Sequence, residues 1–344
     1  MIDLPGAIRS LIESQDLSGA EMEEVMTIIM QGEATPAQIG AFLIALRIKG
    51  EVVEELAAAA RVVRKFAAKV SVRSQNIVDT VGTGGDGAGL FNVSTAAALV
   101  ASAAGVVIAK HGNRAVTGKS GSADLLEAGG VNIELAPDQV SQTIDAVGIG
   151  YMFAPAHHGA FRYLVGPRRE IGVRTMFNLL GPLTNPADAK FQLVGVFSRD
   201  WVRPIAEVFK NLGSIHTLVV HSQDGLDEIS IAAPTDVSEL FNGVVSDYVI
   251  YPEEFGFTVQ SLEALRVDSV EASFELIQRA FRGEKGPAYN MVALNAGATI
   301  YTANRASSLK EGVTMACSVL DCGDALKKLK ELADFTAQFR INPS

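Results

Sequence analysis

The stretch DTVGTGGDGAGLFNVST, residues 79–95, decides how this chain is read. Within it, GTGGDG (Gly82 to Gly87) satisfies G-x-G-x-x-G, the spacing of a dinucleotide-binding loop. That reading makes two further demands. The loop must run directly from a strand into a helix, and an acid must follow about 20 residues on to hold a ribose hydroxyl. Neither demand is met. AGLFNVST intervenes before the helix-like run AAALVASAAG, and no Asp or Glu occurs from Gly87 to Ala123. No G-K-[ST] follows the glycines at Walker spacing. What remains is a glycine loop that carries its own acid, Asp86, ahead of an N-V-S-T helix start.

The acid-free window is informative in a chain of formal net charge −10. It holds Lys110, His111, Arg114 and Lys119, with Asn92, Ser94 and Thr95 at a helix N-terminus. Asn113, Thr117, Ser120 and Ser122 follow in KHGNRAVTGKSGS. Backbone N–H groups, helix dipoles, hydroxyls and cations together make an anion site. Two such elements predict a substrate with more than one phosphate. Taken alone, NVST reads as an ordinary helix cap; beside KHGNR and GTGGD, the phosphate reading prevails. Asp86 then requires a cation. A second acidic pair, Asp227-Glu228, stands in HSQDGLDEIS just after the apolar run IHTLVV, at the carboxyl end of an expected strand. An isolated acidic pair is usually a solvated turn. Magnesium, however, is held by one or two carboxylates plus substrate phosphates and water.

Outward from this core, the first seventy residues read as helical. Ser18 and Glu21 form a capping box before MEEVMTIIM, and Gly32 ends that helix. Thr35, Pro36 and Gln38 open a second, ending at Gly50. A third, VVEELAAAARVVRKFAAKV, is expected to end before Ser71. From Asn76 onward the strand-like runs NIVDTVG, GVVIAKHG, IGYMFAP, FQLVGVFS and HTLVVHS alternate with helical ones, which predicts an α/β domain with a mostly parallel central sheet flanked by helices. Arg162 to Ala187 breaks the pattern, and is expected as short helices followed by an ordered loop at NLLGPLTNP. The segment from Ala288 to Phe335 reads as helical.

With 344 residues, nearly half of them apolar, the chain is expected to be globular with a large core. Its acidity argues against a general nucleic-acid binder. Cys317 and Cys322 show neither C-x-x-C nor zinc spacing and are expected as reduced thiols. The N-terminal stretch lacks a signal-peptide pattern, and no apolar run is long enough to span a membrane. A cytoplasmic location without membrane partners is therefore expected.

GTGGD (82–86), NVST (92–95), KHGNRAVTGKSGSADLLEAGG (110–130), RREIGVRTMFNLLGPLTNP (168–186) and DGLDEIS (224–230) closely resemble the anthranilate phosphoribosyltransferases. These join anthranilate to phosphoribosyl pyrophosphate in tryptophan biosynthesis, and the resemblance runs over nearly the whole chain. It implies a homodimer, each subunit with a small all-helical domain, a large α/β domain and an active site in the cleft between them. The expected division is 1–72, completed by 162–187, for the small domain, and 73–161 with 188–344 for the large one.

By resemblance, the phosphoribosyl donor meets Gly82, Gly85, Asp86, Asn92, Val93, Ser94 and Thr95, the loop Lys110, His111, Gly112, Asn113, Arg114, Ala115, Val116, Thr117 and Gly118, and Ser122. Gly82, Asn113, His158 and Arg168 match the anthranilate positions, and Ser94, Asp227 and Glu228 those of magnesium, with two ions expected per site. Arg168, His111 and Asp86 are the residues expected to carry catalysis. Leu90 stands where the family often has Ser or Thr, and His157-His158-Gly159-Ala160 where it commonly has Y-H-P-A. Two alternatives share the fold: a pyrimidine nucleoside phosphorylase, disfavoured by KHGNR and DGLDEIS, and a non-catalytic nucleic-acid-binding relative, disfavoured by acidity and by the intact Asp227-Glu228 pair.

Overall fold

A computed structural model describes residues 2–115 and 120–340. Four helices open the chain: α1 (Leu4–Ile12), α2 (Gly19–Gln31), α3 (Pro36–Lys49) and α4 (Val53–Phe66). Both expected capping boxes form. The Glu21 N–H donates to Ser18 Oγ (3.4 Å) and the Ser18 N–H to Glu21 Oε2 (2.9 Å); Thr35 and Gln38 make the same exchange. α4 stops earlier than expected. Its end is fixed by crossing segments, because the Ala68 N–H donates to the His157 carbonyl (2.8 Å) and the Val70 N–H to that of Pro186 (3.2 Å).

The α/β part follows as β1 (Ile77–Gly82), α5 (Val93–Ala103), β2 (Val107–Gly112), α6 (Ser122–Ala128), α7 (Pro137–Val147), β3 (Ile149–Phe153) and the single turn α8 (Ala154–His157). Then come α9 (Arg162–Ile171), α10 (Phe177–Leu183), β4 (Phe191–Gly195), α11 (Val202–Asn211), β5 (His216–Ser222), β6 (Thr235–Phe241) and β7 (Val244–Ile250). Helices α12 (Val270–Phe281), α13 (Pro287–Thr302), α14 (Leu309–Asp321) and α15 (Asp324–Ala337) close the chain.

The seven strands form one sheet in the order β3-β2-β1-β4-β5-β6-β7. The first five are parallel, as the alternating pattern predicts, while β6 and β7 add an antiparallel hairpin. No expected strand covers that hairpin. Its turn, Asn242-Gly243, has φ +47° and +82°, the positive pair that a tight two-residue hairpin loop needs. NLLGPLTNP also departs from expectation: α10 takes in NLLGPL, leaving only TNP as loop. Pro182 falls within its last turn, and Thr184 Oγ1 donates to the Leu180 carbonyl (2.9 Å) beside it.

Each face of the sheet is covered by its own core. On one, the alanine-rich α5 is buried on every side against α13 and α14. On the other, Val194, Val196 and Val219 of the sheet region join Met22, Phe42 and Leu46 of the opening helices, with Leu164, Phe177 and Leu180 of α9 and α10 between them. The sheet order reverses direction at β1, which lies between β2 and β4. The carboxyl ends of β1 and β4 are therefore the switch point at which an open α/β sheet receives its ligand. No helix is long and apolar enough to cross a membrane among the described residues.

Candidate active site

β1 and β4 both end in glycine, and Gly82 and Gly195 are register partners. A Cβ on Gly82 would overlap the Asp227 carboxylate, and one on Gly195 would overlap the Asp227 backbone carbonyl. These two bare positions let the segment after β5 lie down across the sheet end. Asp227 is 8% exposed there, which overturns the solvated-turn alternative for DGLDEIS. The Gly84 N–H donates to Asp227 Oδ2 (2.7 Å), tying the glycine loop to the acid.

The loop itself turns through Gly84 and Gly85, at φ +67° and +83°. Its acid, Asp86, accepts from the Ala88 N–H at 3.1 Å and stands beside Asp227. Burial, and next the Asp86 charge, push the Asp227 carboxyl up to about 7. Glu228 is driven well above the usual carboxylate range by burial and by Asp227, against the pull of Lys110 and of the Ser94 N–H. The corner thus holds more negative charge than its surroundings can neutralise. Among the described residues no three His, Cys, Asp or Glu side chains form a ready metal cage. A hard divalent cation that brings its own phosphate and water ligands fits this corner; a closed structural metal site does not.

Lys110 is the buried cation of the cluster, 2% exposed at the end of β2. Its ammonium donates to the Thr80 carbonyl (2.7 Å) and to Ser94 Oγ (3.3 Å). Burial lowers its pKa, while Asp79 and Glu228 hold it up. Asp79, fully buried, accepts from the His111 N–H (3.1 Å) and from Asn185 Nδ2 (2.7 Å), and burial lifts it to about 6. Lys110, His111 and Gly112 are strand residues, so the expected loop begins only at Asn113.

NVST is a helix cap in the structure. Asn92 caps α5, its Oδ1 accepting from the Thr95 N–H at 3.0 Å. Val93 and Ser94 occupy the first turn, pointing the helix dipole at the acid corner. Asn113 and Ser122 meet behind β2, where Ser122 Oγ donates to the Asn113 carbonyl (3.2 Å). Arg114 is turned to the surface, paired with Asp124 (3.0 Å) and Glu127, and the Ala115 N–H donates to Asp124 Oδ2 (3.1 Å). Val116, Thr117 and Gly118 lie outside the described residues.

From Lys110 the site continues as a chain of rings. His111 Nε2 and His158 Nε2 are 3.2 Å apart. His158 stacks on Phe161 at 5.1 Å between centroids, and Phe161 meets the edge of Phe177 at 5.8 Å. The Arg168 guanidinium carbon sits 5.4 Å over Phe177. Both histidines are buried and held neutral: burial, reinforced by His158 and His157, takes His111 well below its ordinary value, and burial takes His158 to about 4. Burial alone lowers Arg168, and no carboxylate among the described residues pairs with it. Arg168 is thus a half-buried guanidinium with no carboxylate partner among the described residues, at the end of a row of buried rings.

The chain is similar to known proteins over nearly its whole length. Residues 5–67 match the helical bundle domain, and residues 74–326 the a/b domain, of the glycosyl transferase family. Anthranilate phosphoribosyltransferase from Methylococcus capsulatus is 55% identical over 98% of this chain and 99% of its own length. That from Azotobacter vinelandii is 54% identical with the same coverage.

This chain belongs to the anthranilate phosphoribosyltransferase family.

Solved structures of the family share the fold. The enzyme from Thermus thermophilus superimposes with a TM-score of 0.92 at 44% identity, covering 96% of this chain and 99% of that one. The Saccharomyces cerevisiae enzyme in complex with PRPP and Mg gives 0.89 at 26% identity, covering 98% of both. The structure brings together Gly82, Asp86, Ser94, Lys110, Asp227 and Glu228 in one cluster, and joins His111 and His158 through the rings to Arg168 in another. Sequence reading missed Asp79, Asn185 and Gly195. A lone acid inside the apolar run NIVDTVG was the one available signal, since a strand buried on both faces tolerates an acid only with partners.

Proposed function

We propose that this chain transfers the phosphoribosyl group of phosphoribosyl pyrophosphate to the amine of anthranilate, with the donor at the Asp227 end and the acceptor at the Arg168 end. The observation that carries this reading is a pair of unlike deficits joined by a row of rings: buried acids that Lys110 alone does not balance beside a glycine loop, and a guanidinium with no carboxylate partner among the described residues. Mg²⁺ held by Asp227, Glu228 and Ser94 supplies charge neutralisation for the departing pyrophosphate. Two ions per site suit a corner where Asp86, Asp227 and Glu228 all face a highly anionic donor.

The chain's own residues do the rest by position and fixed dipoles. The first turn of α5 and the amide of Gly85 aim positive ends at the phosphates, while the Gly84 amide holds Asp227. Lys110, already donating to Ser94, places a cation beside the leaving group. Arg168 orients anthranilate through its carboxylate, and Phe177 and Phe161 flank the ring. The aryl amine is neutral near pH 7 and needs no strong base. His111, held neutral by burial, takes the proton that the amine sheds as its bond to ribose C1 forms.

For the small domain at 1–72 completed by 162–187, the support is that α9 and α10 share an apolar core with α2 and α3, a core that also continues into β4, α11 and β5. Ile12, Ile48 and Val165, which are 70%, 80% and 61% exposed on α1, α3 and α9, offer that domain an apolar face for a second copy in a homodimer. The direct test is loss of anthranilate fluorescence on mixing with enzyme. Consumption is expected only with phosphoribosyl pyrophosphate and Mg²⁺ both present. Consumption of thymidine with phosphate instead would replace this reading with a phosphorylase.

A further inference from the structure

Arg174 has no part in the chemistry above, yet it reaches from the α9–α10 connector to the glycine loop and the end of β4. It lies between α9 and α10, in the segment that returns from the helical side to the sheet. Its Nη2 donates to the Gly85 carbonyl in the turn of the glycine loop. Its guanidinium carbon rests 4.7 Å over the Phe197 ring, two residues beyond β4. Phe197 is itself fastened to the loop, its N–H donating to Thr83 Oγ1 (3.0 Å), while the Thr83 N–H donates to the Gly195 carbonyl (2.9 Å). One side chain therefore clamps both strands that end at the switch point. No carboxylate among the described residues pairs with it.

The clamp acts on a turn that needs it. Gly84 and Gly85 both hold positive φ, and neither has a side chain to pack, so their conformation is fixed only by hydrogen bonds at either side. On one side is the Gly84 N–H to Asp227, and on the other the Gly85 carbonyl to Arg174. The same connector runs back through Gly172 to Arg168 at the C-terminal end of α9. Only residues 172 and 173 separate the end of α9 from Arg174.

We propose that Arg174 is a positioning residue that sets the Gly84–Gly85 turn for the donor phosphates and couples acceptor capture at Arg168 to donor binding. This rests on the cleft reading given above. The planar fork and the ring contact are both used, so Lys cannot substitute: it keeps the charge but loses the stacked, directional donor.

The test compares wild type, Arg174→Ala and Arg174→Lys in steady-state kinetics with both substrates, together with calorimetric binding of phosphoribosyl pyrophosphate and Mg²⁺ with and without anthranilate. Both variants are expected to raise the donor KM about tenfold with kcat within about twofold, to keep the wild-type Tm, and to abolish the effect of anthranilate on donor affinity. Three results would overturn the proposal: a donor KM equal to wild type in the Ala variant; restoration by Lys, which would mean simple charge attraction; or retained coupling between the two ligands. Wild-type turnover and the anthranilate KM of Arg168→Ala, measured alongside, report on the cleft reading separately, so the failure of one is not mistaken for failure of the other.

Discussion

At the proposed donor end, Asp86, Asp227 and Glu228 crowd one another with Lys110 acting on Glu228 alone of the three, and burial lifts Asp227 and Glu228 toward protonation. At the proposed acceptor end, His111 and His158 are buried and held neutral, and Arg168 has no carboxylate partner among the described residues. Both ends pay in desolvation, but for opposite charges. The donor end is unfavourable until a cation and polyphosphate arrive together. The acceptor end is already assembled, rings stacked and guanidinium placed, and lacks only a carboxylate. Donor binding is therefore expected to reorganise electrostatics, and acceptor binding to fill a shaped slot.

Removing the donor-end charge should separate function from stability most sharply. Changing Asp227 to Asn and Glu228 to Gln together keeps both shapes and leaves an acceptor for the Gly84 N–H. Turnover with Mg²⁺ is expected to fall by about 10³-fold or more, because the leaving group loses its neutralising ions. In the metal-free protein at pH 7 the same change should raise the Tm, since two crowded buried carboxylates are replaced by neutral amides. A drop in Tm alongside the lost activity would show that the pair is a structural element and not a waiting metal site.

The acceptor end should respond more narrowly. Arg168→Ala is expected to raise the anthranilate KM about 100-fold, the scale of one charge-assisted fork, and to move the donor KM far less, by no more than the roughly tenfold carried through Arg174. Equal effects on both substrates would remove the division of the cleft into two ends.

How much of this was legible in the sequence follows the range of each interaction. NVST as a helix start, the five parallel strands and the placement of Asp227-Glu228 after a strand are local readings, and they hold in the structure. The β6–β7 hairpin carried a local signal in Asn242-Gly243 that alternation of strands and helices hid. Other features had no local signal. Asn185 reaches Asp79 across 106 positions of chain, and Arg174 reaches Gly85 across 89. Gly195 looks like any strand-ending glycine until Asp227 is seen to lie over it. Arg114 shows the converse: its motif assigns it to phosphate, and in the structure Asp124 and Glu127 hold it at the surface.

The smallest effect expected is in the pH dependence of stability, where the two ends oppose each other in the same window. The folded pKa of Asp227 is raised to about 7, so the stability it contributes is greatest in acid and is lost as pH rises from the unfolded value near 4. His158 is depressed to about 4, so its contribution is present above the unfolded value near 6.5 and is lost as pH falls. Between about pH 4 and 6.5 the slopes cancel in part, each at most about 1.4 kcal/mol per pH unit. Denaturant unfolding of metal-free protein across that range should therefore show a shallow profile for wild type. Asp227→Asn should steepen the loss of stability in acid, and His158→Asn should reverse the slope. If both variants moved the slope in the same direction, the opposite charging of the two ends would be wrong. If saturating Mg²⁺ made wild type more acid-sensitive, as Asp227→Asn does in metal-free protein, the donor-end carboxylates would be titrating in competition with the ion, which ties the stability profile to the same corner that carries the chemistry.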